Sequence, residues 1–281
     1  MQVFYSTKSI KAFIGTLREE NSIGFVPTMG ALHAGHLSLV KQAKDENEVV
    51  VVSIFVNPTQ FDNKEDLNKY PRTVEEDLKL LETVNCDIVF MPSIVEMYDE
   101  NITSEHFDFG GIEFEMEGKF RKGHFDGVGT IVKRLFEIIN PHKAYFGKKD
   151  FQQIQIIKKL VEITKLPVEI IGCTIFREED GLAMSSRNTR LSDKQRKAAP
   201  FIYKILLETK KRFGIKSVIE IKQWVQEQFA KNEFLKLEYF EIVCEESLKP
   251  ANECQEKNNY RVFIAVFADD IRLIDNIKLD N

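Results

Sequence analysis

The segment Pro27-Thr-Met-Gly-Ala-Leu-His33-Ala-Gly-His36 sets two imidazoles three residues apart, between an apolar run and a helical pattern. The first N–H groups of a helix have no partner within it and point outward, so such a turn attracts anions. Gly35 allows close backbone approach, and the two histidines add donors. The combination makes a cradle for polyphosphate and points to nucleotide chemistry. The plainer alternative is a pair of half-buried polar residues in an ordinary βα turn. Against it stands the position of His-x-Gly-His directly between strand and helix, in a chain with five His in all.

Four other groups carry chemistry. Asn57-Pro-Thr-Gln60 ends a strand and offers neutral amides that read hydroxyl and carboxylate groups without adding charge; an Asn-Pro turn alone explains it equally well. Gly147-Lys148-Lys149-Asp150-Phe-Gln152-Gln153 follows a second strand and starts a helix. Capping accounts for Asp150, but two lysines at a positive helix end are unfavourable unless an anion binds there. Glu117-Gly-Lys-Phe-Arg121-Lys-Gly-His124 is basic and Gly-spaced, and reads either as a solvated loop or as a lid bringing Arg121 over an anion. Met184-Ser185-Ser186-Arg187 lies in a loop between two differently patterned regions, where hydroxyls, amides and a guanidinium form a second phosphate clamp able to close over substrate. Tyr70-Pro-Arg72 through Asp77 reads mainly as an acidic helix start, with a metal-shell role for Asp77 as the minor alternative. Walker A is absent. Gly127-Val-Gly129 begins a dinucleotide-like pattern, but Val132 occupies the third glycine position and no strand directly precedes it.

The elements that must hold these residues alternate. Apolar strands at Ile23–Pro27, Val49–Val56, Asp87–Met91, Ala144–Phe146 and Val168–Ile175 are separated by helical patterns at His36–Glu46, Thr73–Val84, Gly127–Ile139 and Phe151–Ile163. Near-continuous apolar strands alternating with helices imply a doubly wound, Rossmann-like parallel sheet, an α/β fold. Ligands of such sheets sit beyond the carboxyl ends of the strands, where the suggestive residues fall. From Ser192 onward two charged helices, Asp193–Arg212 and Val218–Lys231, precede two strand-rich segments, Leu237–Cys244 and Arg261–Ile274. These form a smaller C-terminal α+β domain, with residues 1–176 as the first domain and 177–281 as the second.

Composition excludes several classes. The chain of 281 residues is 43% hydrophobic and 30% charged, as expected of a soluble globular protein. Its 39 Lys plus Arg against 44 Asp plus Glu argue against nucleic acid as a partner. Cys86, Cys173, Cys244 and Cys254 show no metal-ligand spacing and are expected to be free thiols. With no signal-peptide core and no stretch long enough to span a bilayer, a cytoplasmic protein without membrane contact is expected.

Taken together, Pro27-Thr-Met-Gly30-x-Leu-His33-x-Gly-His36, Asn57-Pro-x-Gln60-Phe61, Lys149-Asp150-x-Gln152-Gln153 and Asp180-Gly-Leu-Ala-Met-Ser-Ser-Arg-Asn188 resemble the pantothenate synthetase (pantoate–β-alanine ligase) family of the nucleotidyltransferase superfamily. The resemblance runs in order from about residue 20 to residue 192. It implies an ATP-dependent ligase that joins pantoate to β-alanine through pantoyl adenylate, releasing pyrophosphate and AMP. It assigns ATP to Met29, Gly30, Ala31, Leu32, His33, Ala34, Gly35 and His36, to Gly147, Lys148, Lys149 and Asp150, to Phe176, and to Met184, Ser185, Ser186 and Arg187. Phe176 stands where Val is commoner, which matters little if only its main chain touches adenine. Catalysis falls to His36, His33 and Lys149, and pantoate and β-alanine to Gln60 and Gln153, with Asn57 and Arg121 alongside. Mg²⁺ accompanies ATP, a homodimer is implied, and the C-terminal domain acts as a lid. Two competing readings are an adenylyl transferase acting on a phosphate-bearing acceptor and a non-catalytic nucleotide sensor. A tRNA-charging enzyme fits poorly with the acidic chain.

Overall fold

The computed structural model describes residues 1–61, 64–98, 101–251 and 258–280, which form two compact units, Met1–Thr174 and Ile175–Asn281. The first unit runs β1 (Gln2–Phe4), α1 (Thr7–Leu17), β2 (Ile23–Thr28), α2 (Ala34–Glu46), β3 (Val49–Ile54), α3 (Lys64–Lys69), α4 (Val74–Thr83), β4 (Ile88–Phe90), α5 (Ile94–Tyr98), α6 (Met116–Phe120), α7 (His124–Ile139), β5 (Lys143–Gly147), α8 (Phe151–Thr164) and β6 (Glu169–Cys173). All six strands are parallel, in the order β1-β4-β3-β2-β5-β6.

Alternation along the strands builds two cores. Phe25, Val51, Ile88, Phe90, Ala144 and Phe146 meet residues of α1, α7 and α8. The intervening Val26, Val50, Val52, Val89 and Tyr145 meet α2 and α4. Successive side chains of a strand point to opposite faces, so apolar residues in an unbroken run, such as Val49-Val-Val-Val52, are what a sheet covered on both sides requires. From β2 the chain steps through β3 to β4 on one side, then returns with β5 and β6 on the other. Neighbouring β2 and β5 therefore send their following loops in opposite directions, which opens a crevice at their carboxyl ends.

The second unit contains α9 (Asp193–Ala198), α10 (Phe201–Arg212), α11 (Val218–Ala230), β7 (Lys236–Cys244), β8 (Tyr260–Ala268) and β9 (Ile271–Leu279). Its strands form an antiparallel sheet, β7-β8-β9. One face, with Ile242, Val262, Ile264, Val266 and Leu273, packs against Ile202, Leu206, Ile221, Val225 and Phe229 of the helices. An α/β unit with a smaller α+β unit is the expected architecture.

Several element assignments change. The single helix expected over Asp193–Arg212 is two, because Pro200 lacks the N–H that would continue α9. The strand-rich segment expected over Arg261–Ile274 is resolved into a hairpin, β8 and β9, turning at Asp269-Asp270 with Asp269 in the left-handed region. Strand β1 and helix α1 were not legible; β1 has only three residues and gains its partner from β4. Helix α7 starts at His124, three residues before the expected Gly127, after Gly123 at φ +75°. Cys86, Cys173 and Cys244 are free thiols, and Cys254 lies outside the described residues.

Gly127, set aside as part of a failed dinucleotide pattern, has a packing role. A Cβ there would stand 2.2 Å from the Thr59 carbonyl oxygen, so only glycine lets α7 lie against the Pro58–Gln60 turn. Gly127→Ala should cost about 1–3 kcal/mol through forced backbone displacement. A lower urea midpoint at unchanged m-value measures it; an unaltered midpoint contradicts the close approach.

Candidate active site

The turn after β2 is built from the backbone outward. Thr28 Oγ1 donates to the Ser53 carbonyl at 2.7 Å and accepts from Gly30 N–H at 3.2 Å. Gly30 and Ala31 then take positive φ values of 80° and 49°. This conformation is held by Asp77, a carboxylate only 1% exposed near the start of α4. Its two oxygens accept from Ala31 N–H at 3.0 Å and Leu32 N–H at 2.7 Å, and Thr73 Oγ1 donates to it at 3.2 Å. Asp77 is thus a brace for the turn, which corrects its reading as a metal-shell residue: its oxygens are aimed at backbone donors.

Helix α2 starts immediately beyond, with His33 as its extended N-cap residue. The His33 N–H donates to His36 Nδ1 at 3.3 Å, and the two rings stand 4.0 Å apart between centroids. Accepting at Nδ1 leaves the proton of the neutral imidazole on Nε2. Burial, then the neighbouring His33, then Lys149 hold the His36 pKa well below 6.5. His36 is consequently a neutral donor at the positive end of a helix. The participation of Lys149 also shows that the loops after β2 and β5 meet electrostatically.

In that second loop Lys148–Asp150 forms a 3₁₀ turn leading into α8, and Lys149 Nζ stands 3.4 Å from Asp150 Oδ2. The two glutamines that follow have different tasks. Gln152 is buried and its amide is consumed by Ile112 O, Glu115 O and Glu117 N–H. Gln153 is half-buried, and its amide makes no hydrogen bond within the described residues.

The loop after β3 repeats this division. Asn57, 1% exposed, donates to Gly127 O at 3.1 Å and accepts from Thr59 Oγ1 at 3.1 Å and from the Tyr98 hydroxyl. Its carbonyl oxygen and one N–H of its amide are thus bonded within the fold. Gln60 is half-buried and keeps its side-chain amide uncommitted among the described residues. Arg121 has a side chain 19% exposed and donates to the Gln60 carbonyl at 3.2 Å. That places it in the support under Gln60 and corrects the solvated-loop reading.

In the second unit, Phe176 is 41% exposed and its carbonyl accepts from Met184 N–H at 3.0 Å. Ser185 caps a 3₁₀ turn, accepting from Arg187 N–H at 3.3 Å, and Ser186 is buried. The base of this loop is anchored: Arg177 pairs with Asp275 through two nitrogens at 2.6 and 2.9 Å, and stacks 3.7 Å above Tyr203. Arg196 pairs with Asp180 and Glu178.

The sequence model of the family described as pantoate-beta-alanine ligase matches residues 2–278. The chain belongs to the pantoate–β-alanine ligase family. A pantothenate synthetase of Christiangramia forsetii is 56% identical over the full length of both chains, and one of Flavobacterium psychrophilum 50% identical over 99% of this chain and 100% of that one. Among solved structures, the pantothenate synthetase of Thermus thermophilus is similar with a TM-score of 0.91 and 40% identity, covering 99% of each chain. The Francisella tularensis ligase, crystallised with β,γ-ATP and β-alanine, aligns with a TM-score of 0.83 and 35% identity over 99% of this chain and 97% of that one.

Burial pushes the Cys86 thiol up to about 12 and that of Cys173 to about 11, so neither stands ready as a nucleophile. Sequence reasoning missed the supports, Tyr98, His124, Gly127 and Gln152 in the first unit and the Arg177–Asp275 pair in the second. Only the Gly127-x-Gly129 spacing on a helix carried a sign of close packing.

For His36 the sign of the pH effect is fixed. Its folded pKa lies below the unfolded 6.5, so the folded state loses stability as pH falls through 6.5 and the unfolded chain takes up the proton. NMR titration should give a His36 midpoint well below 6.5; a midpoint at or above 6.5 contradicts a neutral donor.

Proposed function

We propose that this enzyme condenses (R)-pantoate with β-alanine in two steps. A pantoate carboxylate oxygen attacks the α-phosphorus of ATP, the bond to the bridging oxygen breaks and pyrophosphate leaves as pantoyl adenylate forms. The neutral amine of β-alanine then attacks the acyl carbon, loses its proton and expels AMP. The observation that carries this reading is the neutral His36, a donor through Nε2, beside Lys149 at the crevice between β2 and β5.

No protein nucleophile is required, so rate enhancement comes from alignment and from donors matched to developing phosphate charge. His36 acts in this reading as a hydrogen-bond donor to phosphate oxygens, with His33 beside it and Lys149 compensating the departing pyrophosphate. A neutral ring keeps its proton while stabilising charge, which suits a role without proton transfer. Met29–His36 and Gly147–Asp150 form the ATP cradle, and Phe176 and Met184–Arg187 are further ATP contacts in this reading. Gln60 and Gln153, whose side-chain amides are uncommitted among the described residues, read pantoate in this proposal. Neutral amides avoid repelling a carboxylate substrate and still tolerate the later amine.

Among the described residues no group of three metal-ligating side chains could cage an ion. The donor set suits Mg²⁺ that arrives on the triphosphate, held chiefly by phosphate oxygens and water, where it neutralises charge. A cytoplasmic homodimer completes the proposal. No helix among the described residues is long and apolar enough to cross a membrane.

Purified protein with ATP, pantoate and Mg²⁺ should exchange labelled pyrophosphate into ATP only when pantoate is present, and adding β-alanine should yield pantothenate and AMP. Exchange without pantoate, or no AMP, rejects the reading. His36→Ala should lower adenylation by about 10²–10³-fold with an unchanged urea midpoint at neutral pH; near-wild-type turnover rejects its role.

A further inference from the structure

We infer that His124 is the positioning residue that sets the Gln60 turn for pantoate, acting as a neutral Nδ1–H tautomer between the Arg121 guanidinium and the Gln60 main-chain carbonyl. This rests on the proposed reading of Gln60 as a pantoate contact.

The geometry fixes the proton. His124 Nδ1 lies 2.9 Å from the Gln60 carbonyl oxygen, which only accepts, so Nδ1 must donate. His124 Nε2 lies 3.1 Å from Arg121 Nη1, which only donates, so Nε2 must accept. The ring is 5% exposed and stands at the first position of α7. A second proton on it would confront the guanidinium at contact distance.

The same support reaches the other amide. Arg121 pairs with Glu117 at 3.6 Å, and Glu117 N–H donates to Gln152 Oε1 at 3.1 Å. Gln152 also holds the carbonyls of Ile112 and Glu115 and is followed directly by Gln153. Residues 112–124 therefore tie the loop after β3 to the start of α8. His124 is the link whose donor–acceptor pattern depends on the ring tautomer, and it bonds the backbone of Gln60, whose side chain remains available.

Steady-state kinetics of three variants test this. His124→Ala should raise KM for pantoate about tenfold while KM for ATP stays within about twofold, the loss of one neutral hydrogen bond at the pantoate side. His124→Asn, whose amide nitrogen falls where Nδ1 does, should recover most of the pantoate KM; His124→Gln, which mimics Nε2, should not. Equal behaviour of Asn and Gln variants, or parallel rises in both KM values, overturns the inference. ¹⁵N NMR of histidine-labelled wild type tests it even if a variant fails to fold. A protonated Nδ1 and unprotonated Nε2 are expected for His124, and a proton on Nε2 overturns the assignment. If wild-type protein forms no pantothenate from the three substrates, the functional reading fails, while the NMR result still decides the tautomer.

Discussion

The carboxylate of Asp77 accepting two consecutive amides, from Ala31 and Leu32, is the constraint on which the active-site crevice depends. Without a fixed acceptor, residues 30 and 31 would have little reason to adopt left-handed backbone, least of all the non-glycine Ala31. With it, the chain reverses tightly at the end of β2, and α2 begins with His33 and His36 side by side. The carboxylate lies beneath an anion cradle without weakening it, since its charge is answered by the two amides, by Thr73 and by the first turn of α4.

That turn then tunes the chemistry of its own histidine. The donor that His36 Nδ1 accepts is the backbone of His33, so the local fold chooses the tautomer. Burial and two cationic or cationisable neighbours keep the ring neutral. A neutral imidazole offers a hydrogen bond but no positive charge, and Lys149 supplies the charge from another strand. Division of donor and cation between two loops lets each be positioned separately on the rigid sheet.

A second division runs through the polar residues. Among the described residues Gln60 and Gln153 keep their side-chain amides available, whereas Asn57, Gln152, Tyr98 and His124 direct their polar side-chain atoms to backbone and to each other. Buried polar groups of the second kind are costly unless satisfied, and their satisfaction holds the backbone at Gln60 and Gln153 in place. Near-identical residue types one position apart, Gln152 and Gln153, thus serve opposite ends: the helix turns by about 100° per residue and aims one inward.

The sequence by itself determined the alternating α/β pattern, the placing of His33–His36 and Lys148–Lys149 directly after strands, and the family, because apolar periodicity and ordered short motifs are local properties of the chain. It also separated the C-terminal region by texture, but read through Pro200, where one residue decides between continuing and stopping an element. Tertiary structure alone decided what each polar residue does. Asp77 was legible as a helix-start acid but not as the acceptor for a distant turn, and neither the Gly127 partner of Asn57 nor the Gln60 partner of Arg121 was legible, since a residue type advertises its chemistry but not its partner. Their partners, at Ala31, Gly127 and Gln60, are between 46 and 70 positions away in the chain. Hydrogen bonds over such separations are set by strand order and helix packing, which bring together groups that no local spacing records.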